Sequence, residues 1–252
     1  MRGLGLRIRV DGRIRSGHDE GAKGDGSHYL AARMGFPPTL TEGYRSFLGE
    51  RFARERTRWA RLAEGQRPEI MVISCCDSRV SPEVVFDASP GEIFVARNVA
   101  NLVPPWEPHG DYHGTSAALE FAVTGLEVDH IVVMGHGQCG GIAAFLEGLH
   151  SDGSPRGFIG KWMSLLNAAR GHALRTASET SPAGLQRAVE EEGVRQSLAN
   201  LKTFPFISER LADGRLQLHG CWFAIATGQL MALDPASDVF EKVTVEGGIP
   251  SA

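Results

Sequence analysis

Three residues of the chain could hold a metal ion together: Cys75, His136 and Cys139. Cys75 follows the short apolar run 70–74, and the other two lie in a glycine-rich turn after the apolar run 131–134. Two thiolates with an imidazole favour zinc among the common metals. Three protein ligands leave one coordination position open, which is typical of a catalytic zinc site. A cysteine that ends a buried strand is by itself more often a small apolar packing residue, so the prediction depends on all three.

Asp77 and Arg79 follow Cys75 by two and four residues. Charged side chains directly after a buried strand usually need a partner. The two residues could form a structural ion pair that holds the loop. They could instead serve the metal, with Asp77 either acting as a fourth ligand or turning to Arg79 and leaving room for water. The sequence leaves these alternatives open.

We expect the other two cysteines to be packing residues. By strand alternation, Cys76 should point away from Cys75 and into the core. Cys221 falls within a later strand and is expected to be a packing residue. Four cysteines in 252 residues are too few for a secreted disulfide framework, so we expect reduced thiols and a cytoplasmic protein.

Strand-like and helical patterns alternate along the chain. The expected strands are 69–74, 92–97, 130–134, 215–225 and 229–233. The expected long helices are 40–64, 115–126, 140–149, 158–170 and 183–202. This alternation predicts an α/β fold with a largely parallel central sheet flanked by helices. In such sheets sites form at the carboxyl ends of the strands, where Cys75 and His136 would lie.

Length and composition suggest one large domain, 37–243, with a disordered extension at 1–36 and a tail at 244–252. The net charge of -4 gives no sign of a nucleic-acid partner. The sequence contains no apolar run of the ~18 residues that a membrane span needs.

Helix 40–64 carries an apolar stripe at helical spacing. Its members are Tyr44, Phe47, Leu48, Phe52, Trp59 and Leu62. The stripe could pack on the protein's own sheet or on a partner subunit.

Three segments resemble motifs of the β-class carbonic anhydrases. Residues 75–79, Cys-Cys-Asp-Ser-Arg, are similar to the family's Cys-x-Asp-Ser-Arg motif, and 136–141, His-Gly-Gln-Cys-Gly-Gly, to its His-x-x-Cys-Gly-Gly motif. Residues 90–101 resemble the strand and loop between them, and the likeness spans about 40–240.

The resemblance implies reversible hydration of carbon dioxide to bicarbonate and a proton, by attack of zinc-bound hydroxide on carbon dioxide in an apolar pocket. One Zn²⁺ per subunit would be held by Cys75, His136 and Cys139, beside an Asp77–Arg79 dyad. The resemblance also implies a homodimer, or a tetramer or larger assembly, with the N-terminal helix lying over a neighbouring subunit.

The resemblance further implies substrate-binding residues. Gln66 and Phe94 fall at positions that line the pocket in plant-type members, and Phe121 stands where many members carry tyrosine. The backbone N–H of Gly141 and the amide of Gln66 could hold bicarbonate oxygens, and Val80 could add to the apolar wall. Where some bacterial members need Trp and Gly for a bicarbonate inhibition site, this chain has Val72 and Ser74, so we do not expect that site.

Other functions stay open. A carbonyl sulfide or carbon disulfide hydrolase could use the same scaffold and zinc ligands. A non-catalytic zinc-binding assembly module would more often have a fourth Cys or His ligand. Three histidines could shuttle protons or simply pack: His109, His113 and His130.

Overall fold

The computed structural model of the protein describes residues 35–109, 113–148, 157–177 and 181–244. Most of the predicted extension 1–36 and of the predicted tail 244–252 lies outside the described residues. The chain divides into two units, 1–63 and 64–252. The domain boundaries expected at 37 and 243 stay predictions.

The described part of the first unit is helical. Helix α1 spans Pro38–Phe47, a π-helical turn spans Leu48–Phe52, and α2 spans Arg56–Glu64. The sequence predicted one uninterrupted helix here. A π turn repeats after five residues, which is the spacing of Phe47 and Phe52, whose ring centroids lie 5.8 Å apart. The interruption thus allows these two rings to pack together.

The apolar stripe of the first unit divides into two groups. Phe47 and Phe52 both contact Trp59, with ring centroids 5.4 and 6.0 Å away. Tyr44 and Leu48, by contrast, remain 60% and 40% exposed. Although the Tyr44 ring stacks on Phe47 with ring centroids 6.3 Å apart, much of the surface of Tyr44 and Leu48 is therefore left uncovered within the described chain.

The second unit is built on a six-stranded sheet of order β2-β1-β3-β4-β5-β6. The first four strands in this order are parallel, and β5 and β6 are added antiparallel. The bounds are β1 Ile70–Cys75, β2 Ile93–Asn98, β3 His130–His136, β4 Gln217–Ala224, β5 Gln229–Asp234 and β6 Val239–Lys242. The predicted largely parallel central sheet is confirmed.

Helices flank this sheet. They are α3 Pro82–Val85, α4 Gly114–Glu120, α5 Gly140–Leu146, α6 Gly157–Met163, α7 Asn167–Thr176, α8 Pro182–Leu201 and α9 Pro205–Ala212. Shorter helical turns are Val99–Asn101, Phe121–Gly125 and Ser164–Leu166. The sequence missed α9 and β6, and it expected one helix where α6 and α7 are separate.

The main core lies between one face of the sheet and helix α8. Val194 of α8 is fully buried, and its methyl groups lie 2.8 and 2.9 Å from where a Cβ would stand on Gly135 and Gly220. Because any side chain at these two strand positions would displace Val194, the glycines let α8 approach β3 and β4 closely. That close approach brings α8 up to the site described below.

Within the described ranges, no helix is both long and apolar enough to cross a membrane.

Candidate metal centre

The carboxyl ends of β1 and β3 carry two of the three predicted ligands. Cys75 is the last residue of β1, and His136 is the last residue of β3. The two strands are parallel neighbours with Ser74 opposite Met134, so both ligand side chains lie at the same edge of the sheet.

A tight turn brings the third ligand to the same place. Gln138 has a left-handed backbone with φ of 55°, which is uncommon for a residue other than glycine. Cys139 follows and caps α5. A Cβ on Gly137 would lie 2.9 Å from the Trp222 ring, so the turn needs glycine there. The reversal of the chain points the Cys139 sulfur back toward His136.

The three ligand atoms form a compact, buried cluster. The Sγ atoms of Cys75 and Cys139 are 4.0 Å apart, and all three ligand atoms lie within 4.8 Å of one another. Cys75, His136 and Cys139 are 4%, 1% and 1% exposed. Two sulfurs bound at about 2.3 Å to one tetrahedral zinc lie roughly 3.8 Å apart, so the sulfur spacing fits zinc.

His136 is oriented as a metal ligand. Its Nδ1 lies 3.0 Å from the carbonyl oxygen of Gly137, and because a carbonyl only accepts, Nδ1 carries the proton. Its Nε2 is buried and has no hydrogen-bond partner among the residues that the structure describes. A buried nitrogen lone pair without a partner is costly, and a bound metal ion would satisfy it.

The two thiols are electrostatically linked. A hydrogen bond from the Cys139 thiol, opposed by burial and assisted by His136, lowers the pKa of Cys75 to about 4. The interaction with Cys75, together with burial, raises the pKa of Cys139. Two thiolates this close repel each other, and a divalent cation shared by both would stabilise both in the ionised form.

Asp77 and Arg79 form a bidentate pair beside the cluster. Arg79 Nε donates to Asp77 Oδ1 at 2.9 Å, and its Nη2 donates to Oδ2 at 2.7 Å. Arg79 Nη2 also donates to the backbone carbonyl of Gln138 at 3.0 Å. The hydrogen bonds from Arg79 hold the pKa of Asp77 well below its usual range, against a smaller effect of burial. Asp77 is therefore an ionised carboxylate turned toward Arg79.

The chain is similar in sequence to known proteins. A family model described as "Carbonic anhydrase" matches residues 70–230, well over half of the chain. The chain belongs to the β-class carbonic anhydrases. Beta carbonic anhydrase 6, mitochondrial, of Arabidopsis thaliana is 37% identical over 203 residues, which are 81% of this chain and 69% of that protein. A carbonic anhydrase of Pseudomonas aeruginosa is 37% identical over 218 residues, which are 84% of this chain and 96% of the relative.

Solved β-carbonic anhydrases share the fold. The β-carbonic anhydrase CcaA superposes with a TM-score of 0.76 at 32% identity, covering 81% of this chain and 98% of that one. A tetrameric β-carbonic anhydrase of Sordaria macrospora superposes with a TM-score of 0.68 at 32% identity, covering 77% and 95%. β-Carbonic anhydrases are zinc lyases, and the Cys75, His136 and Cys139 cluster of this member fits zinc.

In this carbonic anhydrase, Arg97 binds the backbone of the segment that begins with the first motif, residues 75–79. Its Nε donates to the carbonyl of Cys75 at 2.9 Å, and its Nη2 donates to the carbonyls of Asp77 and Val80 at 2.7 and 3.0 Å. Arg97 stood within the family-like segment 90–101, but the sequence analysis gave it no role. Its guanidinium fixes the backbone of the loop that carries the Asp77–Arg79 pair.

The loop after β2 supports the Cys75 sulfur. The backbone N–H of Ala100 donates to Cys75 Sγ at 3.3 Å, and Ala100 has a left-handed φ of 64°. The Asn98 amide fixes this loop, because it donates to the carbonyl of Leu102 and accepts from its N–H, each at 2.8 Å. A donor aimed at the sulfur stabilises the thiolate.

The expected substrate residues are only partly gathered within one chain. Gly141 is next to the cluster, because a Cβ placed on it would lie 3.9 Å from Cys139 Sγ. Phe94 and Phe121 pack together with ring centroids 5.8 Å apart. Phe94 precedes Asn98, the residue opposite Cys75, by four positions, or about 13 Å along the strand. The aromatic pair therefore stands well away from the metal cluster of its own chain.

The remaining expected pocket residues differ in exposure. Val80 is fully buried. Gln66 is exposed in the loop that precedes β1. No contact of Gln66 with the cluster is seen among the described residues.

The expectation for Cys76 was wrong. Cys76 is exposed rather than directed into the core, because β1 ends at Cys75 and the alternation of side chains ends with it. The backbone N–H of Cys76 instead donates to the carbonyl of Asn98 at 2.9 Å. Cys221 is buried, as expected of a packing residue.

The three histidines considered as proton shuttles lie in different places. His130 begins β3, six positions before His136, so it is roughly 20 Å away along the strand. Its Nδ1 lies 3.1 Å from His219 Nε2, and this pairing places it at the far end of the sheet. His109 is exposed, and His113 is partly buried just before α4.

Proposed function

We propose that this carbonic anhydrase catalyses the reversible hydration of carbon dioxide to bicarbonate and a proton. The bidentate Asp77–Arg79 pair beside a three-ligand cluster carries this proposal. A purely structural zinc site usually has four protein ligands and would have no use for an oriented carboxylate beside it. A carbonyl sulfide hydrolase could use the same pair and the same cluster, so the test of the proposal compares both substrates.

Cys75, His136 and Cys139 would hold the zinc ion. When bound, zinc lowers the pKa of a coordinated water from ~15.7 toward ~7 and so supplies a nucleophile at neutral pH. The hydrogen bond from His136 Nδ1 to Gly137 keeps the imidazole in the tautomer that ligates through Nε2.

Asp77 would orient the attacking water. Its carboxylate is ionised, so it can only accept hydrogen bonds. Arg79 donates to Oδ1 from both its backbone N–H and its Nε, and to Oδ2 from Nη2. A lone pair of Oδ2 is thus left to accept a hydrogen bond from water. Because Arg79 also binds the Gln138 carbonyl, the carboxylate is fixed relative to the turn that carries His136 and Cys139. Such an acceptor would aim an oxygen lone pair of the water at carbon dioxide.

Apolar side chains would hold the nonpolar substrate, and N–H groups would hold the product. We assign the wall to Phe94, Phe121 and Val80. The side-chain amide of Gln66 and the backbone N–H of Gly141 would bind bicarbonate oxygens. The tight packing around Gly141, where a Cβ would lie 2.8 Å from Val99 Cγ1, supports a role for a bare backbone group there.

A homodimer would complete this pocket. Strand β2 is paired with β1 on one side, and the described chain offers no strand on its other side. If two copies pair their β2 edges about a two-fold axis, the strands run antiparallel. The Phe94 end of one copy then lies near the Cys75 end of the other. The exposed Tyr44 and Leu48 support packing of the N-terminal helices on the partner subunit, in a dimer or in a tetramer of two dimers.

We also propose a reducing location, the cytoplasm being the simplest. The metal centre needs Cys75 and Cys139 as free thiolates, and all four cysteines are unpaired. Two Arabidopsis thaliana relatives are named mitochondrial and chloroplastic. Fractionation of cells that express the tagged full-length chain would decide between the compartments.

Stopped-flow hydration with a pH indicator tests the proposed reaction. The purified zinc-loaded protein should hydrate carbon dioxide far faster than buffer alone, and should act weakly on carbonyl sulfide. A zinc-replete protein that hydrolyses carbonyl sulfide but does not hydrate carbon dioxide would favour the sulfur substrate. A zinc-replete protein inactive on both would contradict the proposal.

A further inference from the structure

Glu190 is a buried carboxylate in the middle of helix α8. It is 2% exposed, although glutamate is rarely buried to this extent unless it is paired. The sequence analysis did not single it out, since it begins the run Glu-Glu-Glu at 190–192. The other two glutamates of the run, Glu191 and Glu192, are partly exposed, whereas Glu190 is buried beside Val189, which indicates a specific role for Glu190.

Three neutral N–H groups donate to this carboxylate. The backbone N–H of Cys139 donates to Oε1 at 2.9 Å, and the amide of Gln186 donates to the same oxygen at 2.9 Å. The indole N–H of Trp222 donates to Oε2 at 3.1 Å. Both oxygens thus serve as acceptors, and one of them binds directly to the backbone of a metal-ligand residue.

Gln186, one helical turn earlier, acts on the other side of Cys139. Its Nε2 donates to the Cys139 carbonyl at 3.3 Å as well as to Glu190. Helix α8 therefore engages both the N–H and the C=O of the ligand residue. Since Cys139 caps α5, its N–H has no partner inside that helix, and Glu190 supplies one.

The position of α8 makes this contact possible. Val194 lies one turn after Glu190 on the same face, and it packs against Gly135 and Gly220 at the closest approach of α8 to the sheet. Glu190 is thereby brought behind the 137–139 turn. Neither neighbour in the acidic run is placed in this way: Glu191 pairs with Arg187 and Glu192 with Arg195.

Packing alone does not hold the turn on this side. A cavity of about 200 Å³ lies alongside, and its lining includes Gly137, Gln138, Gln186, Glu190 and Trp222. The left-handed Gln138 could relax into this space if its anchor were lost. Such a movement would carry the Cys139 sulfur away from Cys75.

We propose that Glu190 is a positioning residue for the metal centre, which holds Cys139 in its ligating position through the backbone N–H. This inference rests on the proposed zinc function, but it concerns retention of the metal rather than the substrate. Glu190 acts through Cys139 and needs no contact with carbon dioxide or water. Partners of this kind typically change metal affinity 10- to 100-fold when they are altered.

The test is the rate of zinc transfer from Glu190→Met to a chromogenic chelator. Methionine is close to glutamate in size but has no oxygen to accept from the Cys139 N–H, whereas a glutamine could keep that contact through its amide oxygen. We expect zinc loss about 10- to 100-fold faster than in the wild-type protein. Glu191→Met, the same change at the next position, should lose zinc at the wild-type rate. Equal rates for Glu190→Met and the wild-type protein would overturn the proposal.

A second readout separates positioning from general stability. With cobalt in place of zinc, the thiolate-to-metal absorption of a folded Glu190→Met should shift, because the Cys139 sulfur moves. An unchanged spectrum would contradict the proposal. Leu201→Ala removes a buried side chain at the end of the same helix, so it should lower the urea midpoint and leave the spectrum unchanged. A cobalt spectrum of Leu201→Ala altered as much as that of Glu190→Met would contradict the proposal.

A milder variant covers the case in which Glu190→Met does not fold. Gln186→Met removes the half-exposed amide that bridges Glu190 and the Cys139 carbonyl, so zinc loss should be several-fold faster. A wild-type rate in Gln186→Met would then overturn the proposal. All of these measurements are made without carbon dioxide, so an enzyme that retains zinc but does not hydrate carbon dioxide would refute the proposed reaction alone.

Discussion

Arg79 holds Asp77 by two parallel hydrogen bonds of 2.9 and 2.7 Å, and the same guanidinium binds the carbonyl of Gln138. The sequence left open whether Asp77 would close the metal site or turn to Arg79, and in this structure it is turned to Arg79. Fork-like pairing of this kind fixes direction as well as charge. Arg79 thereby links the 75–79 motif to the 136–141 motif.

Asp77→Asn should separate metal binding from turnover. The amide keeps the shape of the carboxylate but presents a donor where an acceptor is needed. We expect kcat to fall by at least about 100-fold, with zinc content unchanged by metal analysis. Full activity in a zinc-replete Asp77→Asn would refute the proposed role.

Arg79→Lys should also impair the enzyme, because a lysine cannot form the two parallel hydrogen bonds. Asp77 would then be free to turn toward the metal, and kcat at neutral pH should fall at least about 10-fold with zinc retained. Arg215→Lys is a matched control. Arg215 also donates to an aspartate two residues before it, from its backbone N–H to Asp213 Oδ1 and from two guanidinium nitrogens to Oδ2, but it lies outside the site. Equal losses in the two variants would count against a specific function of Arg79.

The sequence alone was sufficient to predict the three metal ligands, but not the residue that holds Cys139 in place. Cys75, His136 and Cys139 could be assigned because each lies at the end of an apolar strand or in the turn after it. Glu190 could not, because its contact with Cys139 joins residues 51 positions apart. A run of three glutamates on a helix usually faces water, and only the packing of Val194 determines which of them is buried.

The errors in the predicted secondary structure have local causes. The sequence analysis assigned no helix after 202, yet Pro205 occupies the first turn of α9, where proline is well tolerated. Cys76 was placed by an alternation that stops one residue earlier. The parallel direction of β1 to β4 was predictable because strands and helices alternate along the chain. The edge strand β6 was missed because it has only four residues and little hydrophobic periodicity.

The presence of zinc should determine which cysteine thiols can be alkylated. In the zinc-loaded protein at pH 8, iodoacetamide should modify only Cys76, and slowly, because partial burial and the nearby charge of Cys75 raise the pKa of Cys76. After chelation Cys75 should react next, as its lowered pKa keeps it a thiolate. Burial raises the pKa of Cys221 to about 12, so it should react only on unfolding. Mass spectrometry counts the adducts, and a Cys76→Ser protein that is still modified while zinc-loaded would contradict this order.

Gly141→Ala should strain the loop next to the cluster. The added Cβ would stand 2.8 Å from Val99 Cγ1, and overpacking of this kind costs about 1–3 kcal/mol in the free energy of unfolding. Val99→Ala in the same chain should recover most of that loss, because it removes the clashing methyl group. Urea unfolding of both single variants and the double variant measures the coupling. Additive effects would show that the two residues do not meet.

His219 should make the protein less stable in mild acid. Partial burial, together with the charge of His130, lowers the pKa of His219. The unfolded chain then binds the proton more readily than the folded chain. The stabilisation is therefore complete above the unfolded value of about 6.5 and is lost as the pH falls through the lowered folded value. The urea midpoint should drop between pH 7.5 and 5.5, and less so in His219→Gln. An equal reduction of the drop in His109→Gln would argue against a specific effect.

The metal ligands come from two strands that are neighbours in space but about 60 residues apart in the chain. During translation Cys75 leaves the ribosome long before His136 and Cys139, and meets them only when β3 has docked beside β1. A nascent chain can therefore offer zinc at most an incomplete set of donors. Acquisition of the metal should await completion of the sheet, which would protect the cell from metal trapped in half-made enzyme.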